Sequence, residues 1–584
     1  MDQMASSVGG LTYIDFKDEA AKVTQIPYDF AENGMALVVV NTGGSHDDLT
    51  DDYAAIPKEM RAVAACFGEK ELRRVRPDVK AMANYMLGAI PEMREDFIFV
   101  DPFGSKDAIR SNLRSIKESL SWVKDGHLLI VFPSGEVSSF NKRVLRVRDP
   151  AWSASIAAIV RKTSAAVSPI CFIGRNSVFF NAMGMIHPRL RTSLLPRQLA
   201  NKKGQIIKFR IGTTLTQKRL EPFSMDDVQL ITYMRFRSYL QAERETHRTR
   251  RFITLNPPMM PPDPIVAPVP SETLAKEIQT LPESCMLVAA GDFAVFIASA
   301  QQIPSCVQEI GRLREVTFRA VGEGTGNATD LDAFDPYYMH LVMWNNARQE
   351  IVGSYRLGLT DKIVKEHGVK GLYTRTLFKF DLRLLEKLPP TIEMGRSFIR
   401  IEYQKAYTSL FLLWRGIATF IARNPHYRAL FGPVSITNEY REASRCMILA
   451  SMRQTCMDAE LALLVKPKYP PRPPRRAEWS LKEYRYLLND IEHVAEYVEE
   501  IEPDGKDIPV LLRQYLKLGG RLLSFNVDPD FSSVVDGLIV VDLARTPVKT
   551  LRRYMGNDAE PYLKSHGVAL ETVTEPTGTD TKSA

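Results

Sequence analysis

Apolar positions along this chain follow two rhythms. Short unbroken runs, Met35 to Val40 (MALVVV), His127 to Phe132 (HLLIVF) and Val167 to Ile173 (VSPICFI), read as strands buried on both faces. Between the first two, Ile109, Leu113, Ile116, Leu120 and Val123 recur at spacings of four and three, which puts them on one face of a helix. Ser105 is placed to cap that helix and Asp125-Gly126 to end it, and Asp149-Pro150 opens another. In the later half, Tyr338 to Trp344 and Glu350 to Leu357 read as a hairpin across Asn345-Asn346-Ala347-Arg348. Thr391 to Ile401 is a strand, Ser409 to Ile421 a helix apolar nearly all round, and Leu430 to Ile436 a strand again.

Strands alternating with helices predict an α/β fold, α+β in part, in both halves. The seam is Thr254 to Pro270, seven prolines in seventeen residues, a density that excludes helix and sheet and favours an extended spacer. The expected organisation is a domain over 1–253, a Pro-rich linker over 254–272, a second domain over 273–570 and a polar, disordered tail over 571–584. A second Pro-rich stretch, Lys466 to Arg476, falls inside the later domain.

Composition narrows this little. The chain has 584 residues, 45% hydrophobic and 25% charged, which excludes wholesale disorder and fibrous classes. Six cysteines form no CxxC pair and no metal-ligand spacing, so they read as reduced thiols, with no metal expected. The start lacks a signal-peptide pattern. Met286 to Ala300, the nearest approach to a membrane span, is too short and contains Asp292. The net charge of +7 has a local source, because Asn176 to Leu220 carries nine Lys/Arg and no Asp or Glu. That stretch suits an anionic membrane surface or an acidic carrier protein. It lacks interleaved stacking aromatics, so no nucleic acid is expected. The expected place is cytoplasmic, peripheral on the inner face of the cytoplasmic membrane.

The first predicted strand runs into His46 and Asp51, an H-x4-D pair at its C-terminal end. A carboxylate beside a histidine fixes its tautomer and stabilises the imidazolium, which suits a general base. Phe132-Pro133-Ser134-Gly135-Glu136 closes a later strand, and Ser168-Pro169-Ile170 lies in the next. In order and spacing these resemble the glycerolipid O-acyltransferases. The resemblance implies His46 as base, Asp51 as its orienting partner, and Ser134, Gly135 and Glu136 as the acceptor-binding loop. Two departures concern the acceptor. Ser134 stands where the family carries Glu, and Phe97 to Pro102 ends without the usual basic residue, leaving Arg110 or Lys142 to supply charge. An acceptor other than glycerol phosphate is expected.

The second half carries LREVTFRAV, FDPYYMHLVMW, EIVGSYRL and TIEMGRSFI. These resemble the GNAT branch that includes ornithine N-acyltransferases and acyl-homoserine-lactone synthases. The resemblance implies Glu393 as catalytic base, and Arg314, Phe318, Asp335, Arg356 and Arg396 around the substrate. Tyr338 would replace the second acid of a D-x2-D turn that begins at Asp335. A pyrophosphate loop of the form R-x2-G-x-G/A is missing from the sequence, which favours acyl carrier protein over CoA as donor. Val510 to Phe531 extends the resemblance and contains an Asp528-Pro529-Asp530 turn. Together the halves resemble the bifunctional ornithine lipid synthases. That implies N-acylation of ornithine by a 3-hydroxyacyl thioester, then O-acylation of the new hydroxyl, with no bound cofactor. Glycine, serine or glutamine would serve the same chemistry as acceptor.

Overall fold

The computed structural model describes residues 11–15, 22–26, 79–84, 95–100, 106–141, 146–174, 176–186, 206–244, 262–471 and 483–568, with a few isolated positions between. The expected strand at Met35–Val40, the His46–Asp51 pair and Lys142 lie outside them. The chain forms two compact units. The first is Met1–Lys80 with Gly126–Ile130, in which Leu11–Asp15 and Lys22–Ile26 pair as an antiparallel hairpin. The second is Ala81–Asp125 with Val131–Ala584.

Within the second unit the 4-and-3 apolar spacing forms helix α1, Lys106–Lys124, and Phe97–Val100 pairs in parallel with Ala81–Asn84. Helix α2, Ala154–Thr163, starts four residues after the expected Asp149-Pro150 opening. Its cap is Ser153, whose hydroxyl accepts from the Ser155 N–H, while Asp149 accepts from the Trp152 indole. Helix α3, Asp227–Glu243, is buried on nearly all sides.

The later residues build one eight-stranded sheet. Its strands are β1 (Met286–Ala290), β2 (Phe293–Ser299), β3 (Met339–Asn345), β4 (Glu350–Leu359), β5 (Thr391–Ile399), β6 (Ala429–Ile436), β7 (Arg521–Asp528) and β8 (Val534–Asp542). Their spatial order is β1-β2-β3-β4-β5-β6-β8-β7. The expected β3–β4 hairpin is present, with Gln349 taking the left-handed conformation that closes it. The apolar stretch around Asp292 folds as the β1–β2 hairpin, with Gly291 at φ 57° and Asp292 in the turn. Among the described residues no helix is long and apolar enough to cross a membrane.

Every neighbour in the sheet is antiparallel except β5 and β6. That parallel pairing joins Thr391–Glu393 to Ala429–Phe431 and then stops. Gly432 still lies close against β5, since a Cβ there would stand 2.0 Å from the Met394 carbonyl oxygen, and the next residue, Pro433, has no N–H to offer. Past the break β5 follows β4 while β6 follows β8, so a wedge opens in the sheet.

Helices cover both faces. Helix α4, Pro304–Ala320, packs Cys306, Ile310 and Leu313 against Val342, Trp344 and Phe398 on one face. Helix α5, Tyr407–Arg423, packs Leu412, Leu413, Trp414 and Ile417 on the other. Gly416 is required where α5 crosses β2, since a Cβ there would meet Val295 Cγ1 at 2.6 Å.

The Pro-rich segment is extended from 262 onward, and Asp263 and Val266 donate to the carbonyls of Gly326 and Ala328. On either side of it the chain shares one hydrophobic core. Helix α3 packs on helix α6, Ile491–Ile501, with Phe236 against Tyr484 and Tyr497 at 5.0 and 5.1 Å between ring centres. Within this contact Arg237 pairs with Glu500 at 2.6 Å, both almost fully buried, and Gln241 and the Thr213 N–H also donate to Glu500. Removing one partner of a buried ion pair typically costs about 3–5 kcal/mol. Glu500→Ala is therefore expected to lower the unfolding free energy by about that amount. Denaturant titration of the full chain is expected to show it as an earlier single transition, reported alike by tryptophan fluorescence and circular dichroism.

Candidate active site

One face of the sheet gathers the polar chemistry. Residues directly opposite in neighbouring strands share a face. The register pairs His340 with Arg356, Gly358 with Glu393, Glu393 with Phe431, and Ser435 with Asp536. Arg356, two residues from Gly358, and Ser435, four from Phe431, keep to the same face by the period-2 pleat. His340, Arg356, Glu393, Ser435 and Asp536 thus form a row beneath the C-terminal end of α4.

Above this row the loop that follows α4 supplies acids to three arginines. Arg314, fully buried on α4, bonds Asp335 at 2.8 Å. Arg356, 1% exposed, bonds Asp332 at 2.5 Å and also lies 3.2 Å from Asp335. Arg396 lies 3.6 Å from Asp330 and 3.9 Å from Asp332. The acid pair is therefore Asp332-x2-Asp335, one turn earlier than the expected Asp335-x2-Tyr338. The D-x2-D spacing stands in LDAFD, Leu331 to Asp335, so the sequence carries a signal for Asp332 as well. Two guanidinium groups beside Asp335 hold its carboxyl well below the usual range. His340 is pushed down to about 4 by burial and by Arg314, so it stands neutral beside the Asp335 carbonyl.

Tyr338 turns the other way, and its hydroxyl donates to Glu393. The Glu393 carboxylate, 1% exposed, also accepts from the backbone N–H groups of Tyr373 at 3.1 Å and Thr374 at 2.7 Å. Three donors occupy it, and burial raises its pKa. Arg396, three residues along β5 from Glu393, pairs with Asp330 and Asp332. Phe318 packs edge-on against Phe531 at 5.1 Å and serves as a wall.

Arg396 is the least constrained of the three arginines. Opposite Tyr355, β5 carries an extra residue, because Ser354 faces Phe398 while Arg356 faces Gly395. At this bulge Arg396 holds φ 49°, a left-handed conformation that costs a non-glycine residue free energy and concentrates at functional sites. Its guanidinium is sandwiched between Tyr373 and Phe531, 5.1 and 4.9 Å from the ring centres. The buried Nε meets no hydrogen-bond partner, nor does Nη2 of Arg356. These donors lie just past the point where β5 and β6 part.

The first-half loop is described as far as Glu136. Gly135 takes φ 64°, its N–H donates to the Phe132 carbonyl, and the Ser134 hydroxyl donates to the Glu136 carbonyl at 2.8 Å. The loop is a tight turn closed by its own hydrogen bonds.

The mixed sheet with its one parallel pairing, and the buried arginines beside that pairing, lie in a half that comparison assigns to the GNAT class of acyltransferases. Residues 313–415 match the model of the acetyltransferase (GNAT) domain. The chain is 31% identical over 330 residues to a glycine N(alpha)-acyltransferase of Bacteroides thetaiotaomicron, covering 54% of this chain and 95% of that protein. It is 31% identical over 323 residues to another from Phocaeicola vulgatus, covering 53% and 96%. The chain belongs to the family of these glycine N(alpha)-acyltransferases. Two acyl-homoserine-lactone synthases are also similar in part. They are LasI (15% identity, 27% of this chain, 78% of that one, TM-score 0.19) and the CoA-dependent BjaI (12%, 44%, 88%, TM-score 0.23). Likeness this slight carries no argument.

Asp335→Asn would leave Arg314 and Arg356 without their shared carboxylate, so a loss of about 3–5 kcal/mol is expected at pH 7. The native pKa is depressed, so this stabilisation is full above the unfolded value of about 3.9 and is lost as pH falls below it. Urea midpoints measured from pH 7 down to pH 3 are expected to hold a constant gap down to about pH 4 and then to draw closer without meeting, because the native carboxyl is still ionised at pH 3.

Proposed function

We propose that the second half transfers an acyl chain from a thioester to the amine of a small amino acid, with glycine as the first acceptor. The observation that carries this reading is the Arg396 guanidinium at the wedge, whose ion pairs are the longest of the three arginines and whose Nε makes no hydrogen bond, with buried carboxyls nearby. A zwitterion fits such a place, its carboxylate on the arginine and its ammonium toward the acids. The wedge between β5 and β6 suits the thin pantetheine arm of the donor, and the missing pyrophosphate loop favours acyl carrier protein as its bearer.

Ornithine is the second acceptor we propose. Beside Arg396 stand the buried carboxyls of Glu323, Asp528 and Asp536, a surplus of acid that would also receive a side-chain ammonium. The first half, with His46 as base and Asp51 to orient it, would then esterify the 3-hydroxyl of the acylated amino acid. Its support is the sequence motif. A product with one acyl chain binds a bilayer only marginally, so the pair of reactions would run at a membrane surface.

Two measurements test the reading. With purified protein and a 3-hydroxyacyl thioester, glycine is expected to exceed glycinamide in kcat/KM by about 10–150-fold, the worth of one charged hydrogen bond. Arg396→Ala is expected to remove most of that preference; equal use of both by the wild type refutes the zwitterion reading. Lipid extracts from a host without aminolipids, expressing this chain, give the acceptor by mass. His46→Ala is expected to leave the monoacyl species alone, and an unchanged diacyl product would refute O-acylation by the first half.

A further inference from the structure

Amide formation from an amino acid needs a group to remove a proton from its ammonium, and Glu393 is poorly placed for that with three donors on its carboxylate. The same sheet face carries another carboxyl. Asp536, on β8, is 3% exposed, and the Ser435 hydroxyl of β6 donates to its Oδ1 at 2.8 Å. On β7, Asn526 lies opposite Asp536, and Asp528 follows two residues on, on the same face. Asp528 opens the turn that the sequence marks as Asp528-Pro529-Asp530, and its Oδ1 accepts the Asp530 N–H at 3.0 Å. The third acid is Glu323, just past α4, 7% exposed, with a buried Oε1 that meets no partner.

The surroundings of Asp536 are asymmetric in charge. Asp528 on β7 and Glu323 face it as like charges, with Glu439 acting on Glu323 from the loop after β6. Tyr373 lies within its field from the loop before β5. Among the described residues, the cation acting on all three acids is Arg396, which is itself engaged with Asp330 and Asp332. An unpartnered buried carboxylate oxygen beside two further carboxyls is costly unless a cation or a proton completes it. An acceptor's ammonium would do so.

We propose that Asp536 takes the proton from the acceptor's ammonium, with Asp528 and Glu323 as positioning residues that keep it ready to do so. The proposal rests on the amino-acid N-acyltransferase reading above. Burial and Asp528 push Asp536 up to about 7, and burial and Asp536 push Glu323 up to about 8, so the group works near neutral pH. The step balances. One ammonium proton passes to the Asp536 carboxylate, and the neutral amine attacks the thioester carbonyl. The C–N bond forms as the C–S bond breaks, a second amine proton goes to the leaving thiolate, and Asp536 returns its proton to water.

The test is the pH profile of kcat/KM for the acceptor, from pH 6 to 9.5, with full-length Asp536→Asn and Ser435→Ala. Thiol release and product mass are read together, and thermal melts check folding. In Asp536→Asn the rate at pH 7 is expected to fall about 10²–10⁴-fold. The wild-type limb near pH 7 should vanish, and the remaining rate should climb about tenfold per pH unit as free amine accumulates. KM for the thioester should stay within threefold. Ser435→Ala, which removes a donor to the carboxylate, should shift the limb upward while keeping the high-pH plateau. Asp536→Asn within threefold of wild type at pH 7, or an unmoved limb in Ser435→Ala, overturns the proposal. If the wild type acylates another amine and not glycine, the acceptor assignment fails. The Asp536 comparison is then read with that amine.

Discussion

The end of pairing between β5 and β6 is the constraint on which the site depends. Three rungs of parallel sheet hold the strands together through Glu393 and Phe431, and then the pairing ends, with Gly432 and the N–H-less Pro433 next on β6. A sheet that closed here would satisfy more backbone hydrogen bonds and leave no room for a ligand. The open edge is tolerated because each strand keeps a partner on its other side, β4 for β5 and β8 for β6. The bulge at Arg396 follows from the same departure, since β5 must bend away from β6 while holding register with β4.

Charge is then buried around that opening. Three arginines within a protein interior carry a desolvation cost that only close acids can offset. Asp335 shared between Arg314 and Arg356, and Asp332 between Arg356 and Arg396, use two carboxylates to bridge three cations. The arrangement leaves N–H groups unpaired on all three arginines. The short pairs are those of Arg314 and Arg356, and the longer ones those of Arg396.

Much of this was legible in the sequence where periodicity is strong. The runs of β3 through β6 and the spacing of α1 and α5 matched elements to within a few residues, because each buries a face that the pattern displays. The β1–β2 hairpin was harder, since alternation is lost when both faces are covered and Asp292 reads as an interruption until the turn is seen. Arg314, Asp335, Arg356 and Arg396 were nameable by resemblance, yet Asp330 and Asp332, the acids that Arg396 meets, were not. Asp330, Asp332, Glu323 and Asp536 lie on loops or on a strand far along the chain. Only the fold brings Asp536 across the sheet to β6. The α2 start differs because Asp149 and Ser153 are both competent caps, and hydrogen bonds from the nearby Trp152 indole and from the Ser138 hydroxyl engage the first.

The shared core of α3 and α6 has a consequence for the covalent chain. Residues 206–244 and those from 262 onward are held together by ring packing, the Arg237–Glu500 pair and the bond from Arg441 to the Glu243 carbonyl. The peptide bonds between them are redundant for assembly. A protease nick in that interval would therefore leave one particle of unchanged size on a native column, and only a denaturing gel would reveal two fragments.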